Sequence, residues 1–98
     1  MTVEYIRYQI PEDQREQFIE AIRNASQILT DSSDCLSHQL AHCQEETANF
    51  IWRIEWVSVD RHLNGFRKSE AFRQFFRFVS PYVNNIQEMH HYEPVIEG

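Results

Sequence analysis

The stretch Asn49-Phe50-Ile51-Trp52-Arg53-Ile54-Glu55-Trp56-Val57 alternates two kinds of residue. Phe50, Trp52, Ile54 and Trp56 are all large and apolar, while Arg53 and Glu55 punctuate the positions between them. A period of two belongs to a strand whose successive side chains leave opposite faces, so this segment predicts a β-strand with one greasy side. Immediately upstream, Cys35 to Cys43 sets Leu36, His38, Leu40 and His42 against Cys35, Ser37, Gln39, Ala41 and Cys43. Gln44 to Thr47 is short enough to join the two strands as an antiparallel hairpin. Thr2 to Ile10, rich in β-branched and aromatic residues, predicts a first strand, and Asn85 to Val95 a last one stopped near Pro94.

Helical spacing fills the intervals. Pro11 suits a first helical position, with Glu12 and Asp13 at the positive end of the dipole. Phe18, Ile22, Ala25 and Leu29, joined by Ile19 and Ile28, then form one apolar stripe that ends in the polar turn Asp31-Ser32-Ser33-Asp34. Ser58 can cap a short helix over Val59 to Phe66, and Ser69 another that carries Phe72, Phe75, Phe76 and Val79. Pro81 disfavours a helical Ser80 and should stop it.

The order β-α-β-β-α-β is the α+β, ferredoxin-like plan, a four-stranded antiparallel sheet with both helices on one face. By parity, one face collects Ile6, Tyr8, Ile10, Leu36, Leu40, Phe50, Trp52, Ile54, Trp56 and Ile86. The other carries Val3, Tyr5, Ile51, Val57 and Met89 mixed with Arg7, Arg53 and Glu55. A face so apolar, with no helix left to cover it, predicts a homodimer built sheet to sheet. Arg7, Arg53 and Glu55 should then find partners across the interface, because an unpaired buried charge is expensive.

Ninety-eight residues make one domain, 1–98, and thirteen Phe, Tyr and Trp side chains supply a core too bulky for a disordered chain. Nine basic against fifteen acidic residues leave a net charge of −6, which argues against nucleic acid as a partner. Two cysteines make no disulfide framework. Met1 to Ile10 is broken by Glu4 and Arg7 and lacks a signal core. No apolar run approaches the ~20 residues of a membrane span. A cytoplasmic, reduced protein with no membrane partner is expected.

Several segments together resemble the antibiotic-biosynthesis monooxygenase superfamily of dimeric α/β-barrel proteins. They are Val3-Glu4-Tyr5-Ile6-Arg7-Tyr8, the Cys35-Leu36 strand start, Phe50 to Trp56, His62-Leu63-Asn64-Gly65-Phe66-Arg67-Lys68-Ser69 with Phe72 and Phe76, and His91-Tyr92-Glu93-Pro94. Pro81 to Met89 is most similar to a branch found beside or fused to truncated globins. The resemblance implies a dimer with an apolar pocket between sheet and helices. It also implies oxidation of quinol-like or polycyclic aromatic molecules by O2 with no flavin, metal or other cofactor. Other relatives degrade haem or isomerise small metabolites. The family's Glu, two residues before the strand-end aromatic at Trp56, falls at Ile54, and its helix His at about Gly65, with His62 one turn away. The haem-degrading set is replaced too, its Asn, Trp and His falling at about Ile6, Gly65 and Phe76.

Cofactor-free oxygen chemistry needs an apolar cavity, a base to form an electron-rich phenolate and a donor for the developing oxyanion. Histidine suits the base because its ordinary pKa of about 6.5 leaves it largely neutral at pH 7. His38 and His62 are the candidate catalytic residues; His38, His42 and His90 share parity with the aromatic face. Tyr8, Trp52, Trp56, Phe66, Phe72, Phe76 and His90 are the candidate substrate contacts. Each also has a structural reading, the histidines as hydrogen-bonded groups at the core's edge and the aromatics as packing. No metal site is expected. His38 and His42 lie about 13 Å apart along a strand, and His90 and His91 leave opposite faces. Cys35 and Cys43, about 27 Å apart, cannot bridge.

Two functions follow. The first is a dimeric, cofactor-independent monooxygenase acting on a small aromatic or quinol-type molecule. The second is a noncatalytic binding module, carrying haem or serving a truncated globin, with a small-metabolite isomerase as a further alternative. Arg61, Arg67, Lys68, Arg73 and Arg77 form either a solvated basic face or a docking patch for an acidic partner.

Overall fold

The computed structural model describes residues 1–98. Strands β1 (Thr2–Gln9), β2 (Cys35–His42), β3 (Asn49–Trp56) and β4 (Ile86–Tyr92) form one antiparallel sheet in the order β2-β3-β1-β4. Helices α1 (Arg15–Thr30) and α2 (Glu70–Val79) pack on the same face. The order and topology are those of the ferredoxin-like plan.

Alternation in β3 builds the core as expected. Phe50, Trp52, Ile54 and Trp56 are each 1% exposed and face the helices, opposite Tyr8, Ile6, Glu4 and Thr2 of β1. The stripe of α1 is buried over its whole length, at Phe18, Ile22, Ala25 and Leu29. In α2 only Phe75 and Val79 are buried, and Ser69 caps the helix by accepting a hydrogen bond from the Phe72 N–H at 3.2 Å. A 3-10 turn, Ser80–Asn85, follows α2, consistent with Pro81 disfavouring helical continuation.

Four details differ from the sequence reading. After Pro11 the chain makes a 3-10 turn, Glu12–Gln14, before α1 begins at Arg15. A bulge between Cys35 and Ser37 leaves Leu36 outside the ladder and 55% exposed, so Cys35, opposite Trp56, packs against the core in its place. A second irregularity reverses the parity of β4, for Ile86 pairs with Tyr8 but Glu88 pairs with Arg7, leaving Gln87 as the extra residue. Met89 and His91 therefore lie opposite Ile6 and Glu4, on the helix side, whereas His90 lies opposite Tyr5. Finally, the outer-face charges have partners within the chain. Arg7 donates from Nη2 to Glu88 Oε1 at 3.0 Å across the β1/β4 pair, and Arg53 pairs with Glu55 along β3.

Between β3 and α2 the chain enters a π-helical turn, Arg61–Gly65. Ser58 Oγ accepts the Arg61 N–H at 3.0 Å, and Arg61 pairs with Asp34 of the loop before β2. A Cβ at Gly65 would lie 2.9 Å from Asp34 Oδ2, so any larger residue there would displace that carboxylate from its place beside Arg61. These contacts fasten the turn to the end of the sheet and thereby fix the residue it carries inward, His62, which is 4% exposed. Single π turns of this kind occur often at functional sites.

Candidate functional site

A cavity of about 200 Å3 lies between the helix side of the sheet, α2 and the π turn. Thirteen of its sixteen lining residues are hydrophobic. The volume is below the roughly 300–1,000 Å3 of sites for drug-sized ligands, so a molecule of one or two fused rings is the size that fits. Tyr8, Trp52, Trp56, Phe66, Phe72 and Phe76, all named from the sequence as substrate contacts, line it together with His62.

Its polar lining consists of Glu4, His62 and Arg67. Glu4 comes from β1 and is 3% exposed, with its Oε1 accepting the Trp56 indole N–H at 3.1 Å. Burial raises its carboxyl above the ordinary carboxylate range, opposed by that hydrogen bond and by the Arg67 charge. The ring of His62 stacks on Trp56, centroids 4.1 Å apart and 7° from parallel. Its Nδ1 lies 2.7 Å from Nε2 of His91, and its Nε2 lies 3.7 Å from Glu4 Oε1. Burial, then the neighbouring His91 and Arg67, push the His62 imidazole down to about 4. His91 is shifted down as well, by burial and Arg67. With His62 neutral, its contact with Glu4 is not an ion pair, and 3.7 Å is too long for a hydrogen bond.

Burial also raises the Tyr8 hydroxyl well above its ordinary range, so this side chain is present as the phenol. Trp52 stacks on Phe75 with centroids 5.5 Å apart, and its buried indole N–H has no partner in the protein. Trp52 lines the cavity, but its N–H has almost no accessible surface of its own, so a ligand oxygen reaches this unpartnered donor only with movement of the side chains around it.

Two expected site residues lie elsewhere. His38 does face the helices, but at the β2 edge, in a groove along α1 where its Nε2 lies 2.8 Å from Thr30 Oγ1. It shares no cavity with His62, because β2 is two strands away from β1 and α1 occupies the space above it. His90 is on the outer side beside Tyr92, turned there by the extra residue in β4. The imidazole that reaches the site is its neighbour His91.

Glu4 and His91 are not among the site residues expected from the sequence, and Arg67 is expected there only as part of a basic face. For Glu4 the signal was present, since it shares parity with Ile6, Tyr8 and Ile10, and a carboxylate on a greasy face is a departure worth a reason. His91 had no such signal, because its face depends on the irregularity in β4.

The arrangement gives an apolar slot with a flat aromatic wall, a polar end that can accept a proton and a separate indole donor. A family model described as antibiotic biosynthesis monooxygenase matches residues 1–77. The chain is 26% identical over 86 residues to the uncharacterized protein YczJ of Bacillus subtilis, covering 88% of this chain and 90% of that one. The structure of a candidate antibiotic biosynthesis monooxygenase from Bordetella bronchiseptica superposes with a TM-score of 0.79 at 19% identity, covering 97% of each chain. That of Rv0793 from Mycobacterium tuberculosis gives 0.77 at 12% identity, over 98% of this chain and 96% of the other.

Proposed function

The chain belongs to the antibiotic biosynthesis monooxygenase family, and on that premise we propose that its cavity binds a small hydroxylated aromatic molecule of the quinol type and promotes its oxidation by O2. The observation that carries this reading is one slot that combines an aromatic lining with a buried, neutral imidazole at its end. An electron-rich ring stacks against Trp56 and Phe66, with a hydroxyl directed to His62. When His62 Nδ1–H donates to His91, Nε2 is left as an acceptor for the hydroxyl proton. Its depressed basicity makes that transfer uphill, and Glu4, 3.7 Å away, stabilises the imidazolium as it forms.

The phenolate so produced is the reductant. In the overall reaction a naphthoquinol and O2 give a hydroxynaphthoquinone and water, one oxygen atom entering each product. The Trp52 N–H supplies the donor for negative charge that develops on the ring oxygen distant from His62.

Oxygen uptake in the presence of 1,4-naphthoquinol tests the proposal. The protein should accelerate uptake, and His62→Ala should lower that rate by about 10²–10⁴-fold, the range of general-base contributions. His38→Ala should leave it unchanged. No acceleration by the wild-type chain, or equal rates in wild type and His62→Ala, would overturn the reading.

The assembly belonging to this proposal is a homodimer joined through the outer sheet face, where Tyr5, Ile51 and Tyr92 stand 37 to 50% exposed. Sedimentation at micromolar concentration should give twice the chain mass, and a monomer would contradict it.

A further inference from the structure

We propose that Glu4, His62 and His91 constitute a binding site for a single divalent transition-metal ion at the polar end of the cavity. Three separate elements, β1, the π turn and β4, deliver one carboxylate and two imidazoles whose ligand atoms all lie within 4.8 Å of one another. An ion held at about 2.0–2.2 Å by nitrogen and oxygen donors requires those donors to be roughly 3.0–3.4 Å apart. The two shortest contacts use different nitrogens of His62, Nδ1 to His91 Nε2 at 2.7 Å and Nε2 to Glu4 Oε1 at 3.7 Å. A single ion therefore takes only one of these nitrogens, and the remaining ligand turns in from within 4.8 Å to complete the set.

The surroundings resemble those of a built site. The Trp56 N–H holds Oε1 of Glu4, the kind of outer hydrogen bond that orients a ligating carboxylate. Stacking on Trp56 fixes the plane of His62. Glu4 is buried between two imidazoles with Arg67 as the cation that acts on it, and a divalent ion would supply the charge that a buried carboxylate otherwise lacks. Three protein ligands leave further coordination positions open, and the apolar slot adjoins them. A set of two nitrogens and one oxygen, without thiolate, favours Fe2+, Co2+ or Zn2+ over Mg2+ and Ca2+.

The inference does not rest on the oxygenase reading, because an ion would bind whether or not a substrate turns over. Occupancy would, however, consume the imidazole lone pairs used in proton transfer, so the metal-loaded and metal-free proteins should differ in function.

The test is a titration of tag-free, chelator-treated full-length protein with CoCl2, followed by visible absorption. One Co2+ per chain should generate d–d bands distinct from those of the aqueous ion, and ZnCl2 should abolish them. Glu4→Gln keeps an oxygen for the Trp56 N–H, and His91→Ala removes a half-exposed side chain from a strand edge. Each should weaken Co2+ binding by at least about tenfold, while His38→Ala should leave it unchanged. Absence of protein-dependent bands at a several-fold excess of Co2+, or bands of equal affinity in wild type, Glu4→Gln and His91→Ala, would overturn the site.

Discussion

The two helices rest on the same sheet and use it differently. Under α1 the packing is closed, with Phe18, Ile22, Ala25 and Leu29 between 0 and 2% exposed. Under α2 a hollow remains, and Phe76, 45% exposed, still forms part of its wall. One half of the helical layer supplies stability, while the other leaves unfilled space in which every polar group matters. Sequence pattern alone makes the two helices look alike, since both carry apolar residues at helical spacing.

The largest effect that could break this contrast is on folding. Phe18 sits among Tyr8, Phe50 and Tyr82 with ring centroids 4.8 to 5.2 Å away. Phe18→Ala should cost about 3–5 kcal/mol, the range for a core aromatic. Phe76→Ala, on the cavity wall, should cost less than about 1 kcal/mol while weakening ligand binding. Urea denaturation of both variants is the measurement, and equal losses would mean that the α2 half is as closed as the α1 half.

Trp52→Phe tests the orphan donor. Trp52 is 1% exposed, so the smaller ring should cost stability through the space it leaves, and affinity for an oxygen-bearing ligand should fall about tenfold as well if a hydrogen bond is made there. Unchanged affinity would instead assign Trp52 to packing alone.

Smaller again is the cap of α2. Ser69→Ala should destabilise by about 1 kcal/mol, read as a shift in the urea midpoint with unchanged slope. The smallest effect concerns Cys35, whose thiol burial pushes up to about 11. Its alkylation by iodoacetamide at pH 8 should run about a hundredfold slower than that of a peptide thiol. Rapid labelling would mean that the β2 edge is loosely packed.

How much of the molecule was legible depended on the range of the interaction. The core side of β3 and the stripe of α1 follow from side-chain period, which is local, and both are reproduced residue for residue. Period also gathered Tyr8, Trp52, Trp56 and Phe66 around one space. It failed where a single residue leaves the ladder. Leu36 and Gln87 each interrupt the pairing, and beyond Gln87 every side chain of β4 changes face, exchanging His90 for His91 and moving Met89 into the cavity. Alternating polarity cannot reveal that displacement, because Gln87-Glu88-Met89-His90-His91 has too little contrast to fix a register. The expected cross-interface partners of Arg7, Arg53 and Glu55 are replaced by partners within the chain, Glu88 for Arg7 through strand order and the same-strand pair Arg53–Glu55, neither of which side-chain period reveals. The meeting of Glu4, His62 and His91 is a property of the folded chain, joining segments 58 and 29 positions apart.

Both tryptophans of the chain line the cavity, so tryptophan emission, excited selectively over that of the four tyrosines, reports on that space. Titration with a small naphthoquinone should quench it saturably at one molecule per chain, with His62→Ala and Trp52→Phe shifting the midpoint. Linear, unsaturable quenching equal to that of free tryptophan would show that no flat molecule enters between α2 and the sheet, and would contradict the account at its centre.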